Sequence, residues 1–468
     1  MFVVAAGLRL WGINYGLPAL YRPDEDVSVG RAMGILQGVL NPHFADWPHL
    51  YFYVAAAWLA PFRLVGLVSD QASGYLGVRV LDALLGSLTV LLVFEFGRRA
   101  YGWLAGFFGA AASLKYNGAL VFAGIAAAQT LRARAEQSRW RQLLARLAVI
   151  AIVGVITLVV TSPFLVLDPG MTQHGIGYIF QHLGRATAPA IGWVQLSLAL
   201  WFGIDPVLLL LAVIGVAYAA WRRDPADVII LTFLLVYFVL IGAGRSVFLR
   251  YADPMIPPLL LLGGRALAAL VHLTARGKTR RLALAAALVL ITVAPLVHDV
   301  RYDLLIQQTD TRTLAFDWLA QHMSPAGRAA VPYMAGPAHD QAMIDSGEHS
   351  HGATDPYVAA FLDSRLETRY TIRELTRDDL QLTSLDSFRK EGIAYVVVGY
   401  ETPGTGCATL SPLERTLRAE GPPLASFSPT NGCPDSVFDP IDTYYVPLAG
   451  YEGWVRPGPQ IRIYRLAG

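Results

Sequence analysis

Long apolar segments recur along the chain as far as Val300 and alternate with shorter polar stretches. An α-helix rises about 1.5 Å per residue, so about 20 apolar residues are enough to cross the hydrocarbon core of a bilayer. We therefore predict membrane-spanning helices at roughly 1–20, 78–97, 146–167, 196–220, 227–243, 254–273 and 282–298.

Basic residues cluster in the stretches between these segments. The clusters contain Arg98 and Arg99; Arg132, Arg134, Arg139, Arg141 and Arg146; Arg222 and Arg223; and Arg276, Lys278, Arg280 and Arg281. The positive-inside rule places such clusters on the cytoplasmic side. The first span then leaves the cytoplasm, the second returns to it, and the chain after Val300 lies outside.

Residues 47–68 are apolar and nearly long enough to span, but a crossing there would put the first basic cluster outside. Arg63 and two prolines within this segment also disfavour a crossing. We predict that 26–38 and 47–68 are helices lying along the outer membrane surface, within an outer loop at 22–77. Tyr and Trp side chains in 47–68 suit the headgroup region.

The composition changes after Val300, where the long apolar segments end. Residues 310–321 form an amphipathic helical pattern, 394–398 are typical of a buried strand, and 460–464 alternate like an edge strand. We therefore predict two domains, a transmembrane domain at 1–299 and an extracytoplasmic α/β domain at 300–468.

The overall composition supports a membrane protein, because 54% of the residues are hydrophobic and only 15% are charged. Soluble domains have about 25% charged residues. The net charge of +2 does not indicate a nucleic-acid partner. Both cysteines, Cys407 and Cys433, lie in the tail, where an oxidising compartment favours a disulfide over two buried free thiols.

Three consecutive acids, Asp24, Glu25 and Asp26, follow the first apolar segment. Acids at that depth are costly unless they serve a function or reach water. They also suit the first turn of a helix after Pro23, because the helix dipole favours negative charge there. The two interpretations are compatible, and Asp46 adds a further carboxylate to the same outer loop.

An enzyme at the outer membrane face has no nucleoside triphosphates, so a lipid-linked phosphate donor fits this position. It needs a carboxylate to activate the acceptor and cations to hold the phosphate leaving group. The candidate cations are Arg245 and Arg250, in one short outer loop, and Lys115, in an apolar setting. Arginine forms forked contacts with phosphate, although snorkelling towards headgroups is the alternative for either arginine.

Metal and nucleotide motifs are weak in this chain. There is no Walker A loop, no dinucleotide-binding glycine pattern and no zinc pattern. A tail segment combines acids and histidines, which include His339, Asp340, Glu348, His349 and His351, but a solvated loop is the favoured interpretation. Asp24 and Asp26 form a single DxD, a weak signal for a divalent metal, so no cofactor is expected to be required.

The order of several motifs resembles GT-C glycosyltransferases, most closely the family 39 proteins related to protein O-mannosyltransferases and lipid A aminoarabinose transferases. The motifs cover most of the chain and are Leu8-Arg9-Leu10-Trp11-Gly12, Gly16-Leu17-Pro18, Pro23-Asp24-Glu25, Leu40-Asn41-Pro42-His43-Phe44, Trp47-Pro48-His49-Leu50-Tyr51-Phe52-Tyr53, Lys115-Tyr116, Arg250-Tyr251 with Pro254 and Pro257, and Arg456 to Tyr464.

The resemblance implies an inverting transfer from a polyprenyl-phosphate sugar, with Asp24 as general base and Glu25 beside it. It sets Tyr251 next to the phosphate-binding Arg250, and it puts His43 and Tyr51 with Asp46 in the acceptor loop. Three departures from the family pattern stand out: Arg22 replaces a frequent His, the first helix lacks a cytoplasmic flank, and a second outer loop is missing between Gly109 and Ser113.

We expect a multi-pass glycosyltransferase of GT-C type in a bacterial inner membrane, with an outward-facing site. Its partners are a polyprenyl-phosphate-linked sugar, a glycan, lipid or protein acceptor, and membrane lipids. A secondary transporter is the alternative from another class, but transporters place ionisable residues near the midplane of two repeated halves. A non-catalytic protein that binds lipid-linked sugars is the third interpretation.

Overall fold

The computed structural model describes the chain except for a set of single residues and segments. These are 1, 20, 23, 100–119, 185–190, 275–276, 325–326, 333–334, 338–369, 377, 401–408, 440, 442–444 and 467–468. Three features of the sequence analysis therefore lie outside the described residues: Lys115, the stretch 109–113 where an outer loop is missing, and the tail segment with acids and histidines. The predictions on them stay predictions.

Helices make up nearly all regular structure before residue 307 in the described part of the chain. Their bounds are α1 Phe2–Leu10, α2 Glu25–Leu36, α3 Leu50–Leu64, α4 Gln71–Arg99, α5 Phe122–Ala135, α6 Trp140–Thr161, α7 Phe164–Leu167, α8 Pro169–Gly184, α9 Gly192–Ile204, α10 Pro206–Arg222, α11 Pro225–Gly242, α12 Ile256–Thr274 and α13 Gly277–Ile306. A 3-10 helix, Leu249–Met255, runs directly into α12.

Four helical stretches of the described residues are long and apolar enough to cross a membrane. They are Ala72–Leu92, Trp140–Thr161, Pro225–Gly242 and Leu249–Val271, and they overlap the predicted spans 78–97, 146–167, 227–243 and 254–273. The predicted span 282–298 lies within α13.

The prediction of one helix over 196–220 is wrong, because α9 and α10 are bent by 119° relative to each other at Asp205. Asp205 has a φ of 80°, which ends α9, and its carboxylate accepts a hydrogen bond from the N–H of Val207 at 2.9 Å. Pro206 then occupies the first position of α10. Aspartate followed by proline is therefore a helix start here.

The prediction of one helix over 1–20 is also wrong, because α1 ends at Leu10 and turns follow. Gly12 and Gly16 have φ angles of 65° and 76°. An α-helix needs negative φ throughout, so the chain cannot continue as a helix here. At Gly16 a Cβ would lie 2.7 Å from the ring of Tyr21, so this position also has no room for a side chain.

The short helices α2 and α3 lie within the stretch 22–77, which is predicted to be an outer loop. α3 has 15 residues, which is roughly 22 Å of helix, against about 30 Å of hydrocarbon in a bilayer. Its length therefore agrees with a helix that does not cross. Its orientation relative to the membrane stays a prediction.

The described residues of the tail form a five-stranded sheet in the order β2-β1-β3-β5-β4. The strands are β1 Arg328–Pro332, β2 Thr371–Leu375, β3 Tyr395–Gly399, β4 Ala425–Phe427 and β5 Ile461–Arg465. β1 pairs in parallel with β2 and β3, whereas β5 pairs antiparallel with both β3 and β4. The tail helices are α14 Thr311–His322, α15 Asp386–Lys390 and α16 Pro412–Glu420.

The sheet is covered on both faces, so alternate residues of one strand enter different cores. Val397 of β3 packs in a cluster with Leu319 of α14, and Val398 packs in another cluster with Leu417 of α16. The expected strand at 460–464 is confirmed as β5. Its expected position at an edge is wrong, because β4 pairs with its outer side and Ile461 and Ile463 are fully buried.

The described residues cluster into two compact units. One contains Met1–Ala5, Gly38–Val54 and Leu84–His298, and the other contains Ala6–Gln37, Ala55–Ala83 and Asp299–Gly468. The last stretch of the second unit begins at Asp299, one residue before the predicted second domain, and the unit also takes in two earlier stretches. The division into domains at 1–299 and 300–468 stays a prediction.

Cys433 is disulfide-bonded, and Cys407 lies outside the described residues. We expect the pair Cys407–Cys433, because the chain has no other cysteine. Alkylation of the unfolded, unreduced protein should then modify neither thiol, and prior reduction should expose two alkylation sites. Modification of both cysteines without reduction would contradict the pairing.

Candidate active site

The segment before Asp24 is fixed by a buried polar network to the start of α14. The Tyr15 hydroxyl donates to Asp310 at 2.9 Å, and the Tyr21 hydroxyl lies 2.9 Å from the hydroxyl of Thr313. The Arg312 guanidinium donates to both carboxylate oxygens of Asp310 and lies 3.7 Å from the centre of the Tyr21 ring. Burial, with the charge of Asp310, raises the pKa of Tyr21, so its hydroxyl stays protonated.

Glu25 forms a bidentate ion pair with Arg79 of α4. The distances are 2.8 Å from Nε to Oε1 and 2.7 Å from Nη2 to Oε2. The remaining nitrogen, Nη1, donates to the carbonyl oxygens of Ile13 and Tyr15 at 2.7 Å each. The Arg79 side chain is only 4% exposed and that of Glu25 is 16% exposed. Arg79 therefore holds the start of α2 and the turns after α1 in one place.

Asp24 is exposed and precedes α2 in a left-handed conformation, with φ of 65° and ψ of 0°. Its backbone carbonyl accepts from the N–H of Ser28, but its carboxylate makes no capping hydrogen bond to α2. Non-glycine residues rarely adopt this conformation, and such strain clusters at functional sites. Asp26, two residues later, is less exposed than Asp24, and burial raises the pKa of its carboxyl group.

A second polar group lies in the other unit, around the acceptor-loop residue His43. His43 has a φ of 48°, and its N–H donates to the Asn41 side chain at 3.0 Å. The Asn41 amide in turn donates to Asp168 at 3.1 Å, and His43 Nδ1 lies 3.9 Å from the same carboxylate. The N–H of Met171 and the Asn41 amide lower the pKa of Asp168, so this carboxylate is ionised.

Asp168 is not among the residues predicted from the sequence. Its carboxylate accepts from the N–H of Met171 at 3.1 Å, in the first turn of α8. The sequence does contain a signal that could have identified Asp168. It is an aspartate directly before Pro169 at the end of a predicted span, which is a common pattern for a helix start.

The other predicted acceptor-loop residues, Asp46 and Tyr51, are half-buried. Between them in sequence lies the fully buried His49. Its Nε2 donates to the Phe44 carbonyl at 2.9 Å, and its backbone N–H donates to the Ser162 hydroxyl at 2.8 Å. The Tyr51 ring contacts Phe52 edge-on. The loop is thus held by buried groups around the two predicted residues.

The predicted phosphate-binding arginines surround the start of the 3-10 helix. Arg245 is exposed, and the Arg250 guanidinium lies 4.1 Å from the centre of the Phe248 ring. Phe248 also stacks with His182 of α8 at 5.4 Å and an interplanar angle of 9°. His182 Nε2 lies 3.3 Å from the Ser246 hydroxyl. The sequence does not predict His182 or Phe248 as supports of Arg250.

Tyr251 also contacts Phe248, with the two rings edge to face at 5.5 Å. Its carbonyl accepts from the Tyr237 hydroxyl of α11 at 2.9 Å. Arg250 and Tyr251 are therefore fixed by aromatic side chains of their own unit.

Asp24, Glu25 and Asp26 belong to one unit, and His43, Asp46, Tyr51, Arg245, Arg250 and Tyr251 belong to the other. Their grouping in one site stays a prediction. Among the described residues, no cluster of three or more His, Cys, Asp or Glu side chains could hold a metal ion.

Comparison with known proteins gives a similarity that spans the chain. No protein-family model matches, and no curated protein matches. The structure is similar to the crystal structure of ArnT from Cupriavidus metallidurans in the apo state, with 15% identity, a TM-score of 0.41, and coverage of 98% of this chain and 96% of that chain.

Proposed function

We propose that this chain is a membrane glycosyltransferase that moves a sugar from a polyprenyl-phosphate donor to an acceptor hydroxyl on the outer face of the membrane. Asp24 is the general base, and Arg245 and Arg250 hold the phosphate of the donor. Support comes from the apolar helices, the sequence motifs and the different surroundings of the two adjacent acids.

The observation that carries this proposal is the contrast between Asp24 and Glu25. Arg79 engages both carboxylate oxygens of Glu25 in a nearly buried pair, whereas the neighbouring Asp24 is exposed at a strained turn. A general base must be reachable by the substrate hydroxyl. We therefore assign the base to Asp24, as the family resemblance implies, and a positioning role to Glu25, which the resemblance sets beside it.

The bonds formed and broken in this transfer balance without an oxidant or a cofactor. The acceptor hydroxyl gives its proton to the Asp24 carboxylate while its oxygen forms a bond to the anomeric carbon. The bond between that carbon and the phosphate oxygen breaks, and its electron pair leaves with the polyprenyl phosphate. Attack opposite to the leaving group inverts the anomeric configuration.

Arg250 suits the phosphate for a geometric reason. Its guanidinium carbon lies over the Phe248 ring, 4.1 Å from the ring centre, and phosphate oxygens bind to N–H groups at the edge of a guanidinium. Stacking on an aromatic ring also limits the rotation of the side chain, so less entropy is lost when the phosphate binds.

We expect Arg250→Lys and Arg245→Gln to weaken binding of a polyprenyl phosphate by at least about tenfold each, since a charge-assisted contact contributes about 1.5–3 kcal/mol. Lysine keeps the charge of Arg250 but loses its fork and its stacking. Affinity would be measured on the full chain in micelles by displacement of a fluorescent polyprenyl phosphate. Arg141→Gln, an exposed arginine of α6 on the predicted cytoplasmic side, is the control. Unchanged affinity in both variants would contradict donor binding and would mean that the two arginines only snorkel towards the lipid headgroups.

The activity itself is tested in proteoliposomes supplied with a polyprenyl-phosphate sugar carrying a radioactive sugar. Extracted acceptors from the parent membranes should gain label only when the wild-type chain is present. Mass spectrometry of glycans and glycolipids from a deletion strain then identifies the sugar and the acceptor. Sugar entering the lumen without covalent transfer would favour a transporter, and donor binding without transfer would favour a binding protein.

A further inference from the structure

A groove lies beside the last turns of α13, within the unit that contains the tail. Its volume is about 360 Å³, which is within the range of about 300–1,000 Å³ for small-molecule sites. Its lining includes Arg301, Leu304, Gln308, Tyr451, Glu452 and Trp454. None of these residues belongs to the catalytic or donor-binding set described above.

Two opposite charges face each other in the groove. Arg301 Nη1 lies 3.6 Å from Glu452 Oε1, and the two side chains are 59% and 82% exposed. Exposed pairs at such distances stabilise a fold by only about 0–1 kcal/mol. A ligand that carries its own negative and positive charges can therefore insert between them at little cost.

The rest of the groove is apolar and aromatic. Leu304 is exposed, and Trp454 is half-buried and held by two contacts. The Trp454 indole N–H donates to the Ser436 hydroxyl at 2.8 Å, and its ring meets Phe438 edge to face at 5.5 Å. A fixed aromatic side chain beside an exposed leucine favours a ligand with an apolar part next to its charges.

The sequence predicts that the α13 side of this groove lies near the membrane surface. The predicted span 282–298 ends at His298, and Arg301 follows less than one turn later on the same helix, α13. Arginine, tyrosine and tryptophan at the end of a span are typical of the headgroup region of a bilayer. Phospholipids are abundant at that depth, and zwitterionic phospholipids carry both a negative and a positive charge in one headgroup.

We infer that the groove binds the headgroup of a phospholipid with a primary amine, such as phosphatidylethanolamine. The phosphate pairs with Arg301, and the ammonium donates to Glu452. The apolar edge at Leu304 contacts the glycerol and the first carbons of the acyl chains. This inference does not depend on the proposed glycosyl transfer.

The two charges also define which phospholipids are excluded. Phosphatidylglycerol has a phosphate but no cation for Glu452, so the glutamate is left beside a second negative charge. Phosphatidylcholine has a cation that cannot donate a hydrogen bond to the carboxylate. Because the discrimination rests on opposite charges, it should weaken as the salt concentration rises.

The experiment is native mass spectrometry of the full chain in micelles that contain equal amounts of the three phospholipids. We expect phosphatidylethanolamine to be retained about threefold to tenfold more than either other lipid, which corresponds to about 0.7–1.4 kcal/mol. Arg301→Gln and Glu452→Gln should each remove this preference. The controls are Arg415→Gln and Glu420→Gln on α16, which remove an exposed charge of each sign outside the groove.

Equal retention of the three lipids by the wild-type chain would overturn the inference, and so would a preference for phosphatidylglycerol. Retention of the preference in both groove variants would place the lipid elsewhere and would also overturn it. Sugar transfer in proteoliposomes made of phosphatidylcholine alone measures the enzyme separately. A failure of the lipid inference therefore leaves the test of the proposed function intact.

Discussion

Asp24→Asn should lower turnover by about 10²- to 10⁴-fold, the usual contribution of general-base catalysis. Asparagine has nearly the same shape and also tolerates the left-handed conformation that this position adopts, so the turn before α2 should be retained. What changes is the ability of the side chain to take the acceptor's proton. The measurement is the rate of label transfer at saturating donor.

Donor affinity should be nearly unchanged in Asp24→Asn, because the proton transfer occurs on the acceptor. A parallel loss of donor binding would instead indicate that Asp24 shapes the donor site. Normal turnover in Asp24→Asn would contradict its role as the base.

Asp26→Asn is the matched control, since it removes a carboxylate two residues away. We expect a small effect, because Asp26 is less exposed and burial raises its pKa. A metal held by Asp24 and Asp26 would give a different result. Both variants would then lose activity alike, and a chelator would inhibit the wild-type chain.

Asp24→Gly separates function from stability. Glycine adopts a φ of 65° without strain. The free energy of unfolding of this variant should therefore equal the wild-type value or exceed it by up to about 1 kcal/mol. It should nevertheless lose as much turnover as Asp24→Asn. A stable and inactive glycine variant would show that the strained turn is kept for the carboxylate that it presents.

The membrane helices can be predicted from the length of their apolar runs, but their interruptions cannot. At Asp205 and after Leu10, the apolar composition continues through the break. The local signals are present, as Asp205-Pro206 and as Gly12 and Gly16. An aspartate before a proline fixes a helix start, and glycines that adopt positive φ end a helix, whatever the length of the apolar run around them.

The strands of the tail are predictable for a similar reason, whereas their order is not. Alternation in 460–464 reports which residues face each side of the sheet. It does not report what pairs with each edge of the strand. β4 has only three residues, Ala425–Phe427, and it is this short strand that turns β5 into an interior strand.

The candidate site shows the same limit of local patterns. Asp24 is predicted from its position after an apolar segment, but the partner of Glu25 lies 54 residues away in sequence. Arg79 falls near the start of the predicted span 78–97. An arginine inside an apolar helix requires a partner, and that requirement is the available signal for this ion pair.

Arg79→Ala should lower the free energy of unfolding by about 3–5 kcal/mol, the usual cost of removing one partner of a buried ion pair. The substitution leaves the Glu25 carboxylate without its two guanidinium contacts. It also leaves the carbonyls of Ile13 and Tyr15 without the donor Nη1. Unfolding would be followed in mixed micelles against Arg134→Ala, which removes an exposed arginine of α5.

Arg79→Lys tests whether charge alone is sufficient. A lysine ammonium has three donors at one point, whereas Arg79 makes four hydrogen bonds from three nitrogens. We expect Arg79→Lys to lie between the wild type and Arg79→Ala in stability. Stability equal to the wild type would mean that the forked geometry contributes nothing.

The double variant Arg79→Met/Glu25→Met decides whether the pair stabilises the fold or only positions Asp24. Replacing both charges by apolar side chains removes the unpaired carboxylate, so this variant should be more stable than Arg79→Ala. It should still transfer sugar slowly, because the turn at Asp24 is no longer tied to α4. If the double variant were both stable and fully active, the ion pair would have no part in presenting the base. If it were as unstable as Arg79→Ala, the damage would come from the lost contacts to Ile13 and Tyr15 and not from an unpaired Glu25.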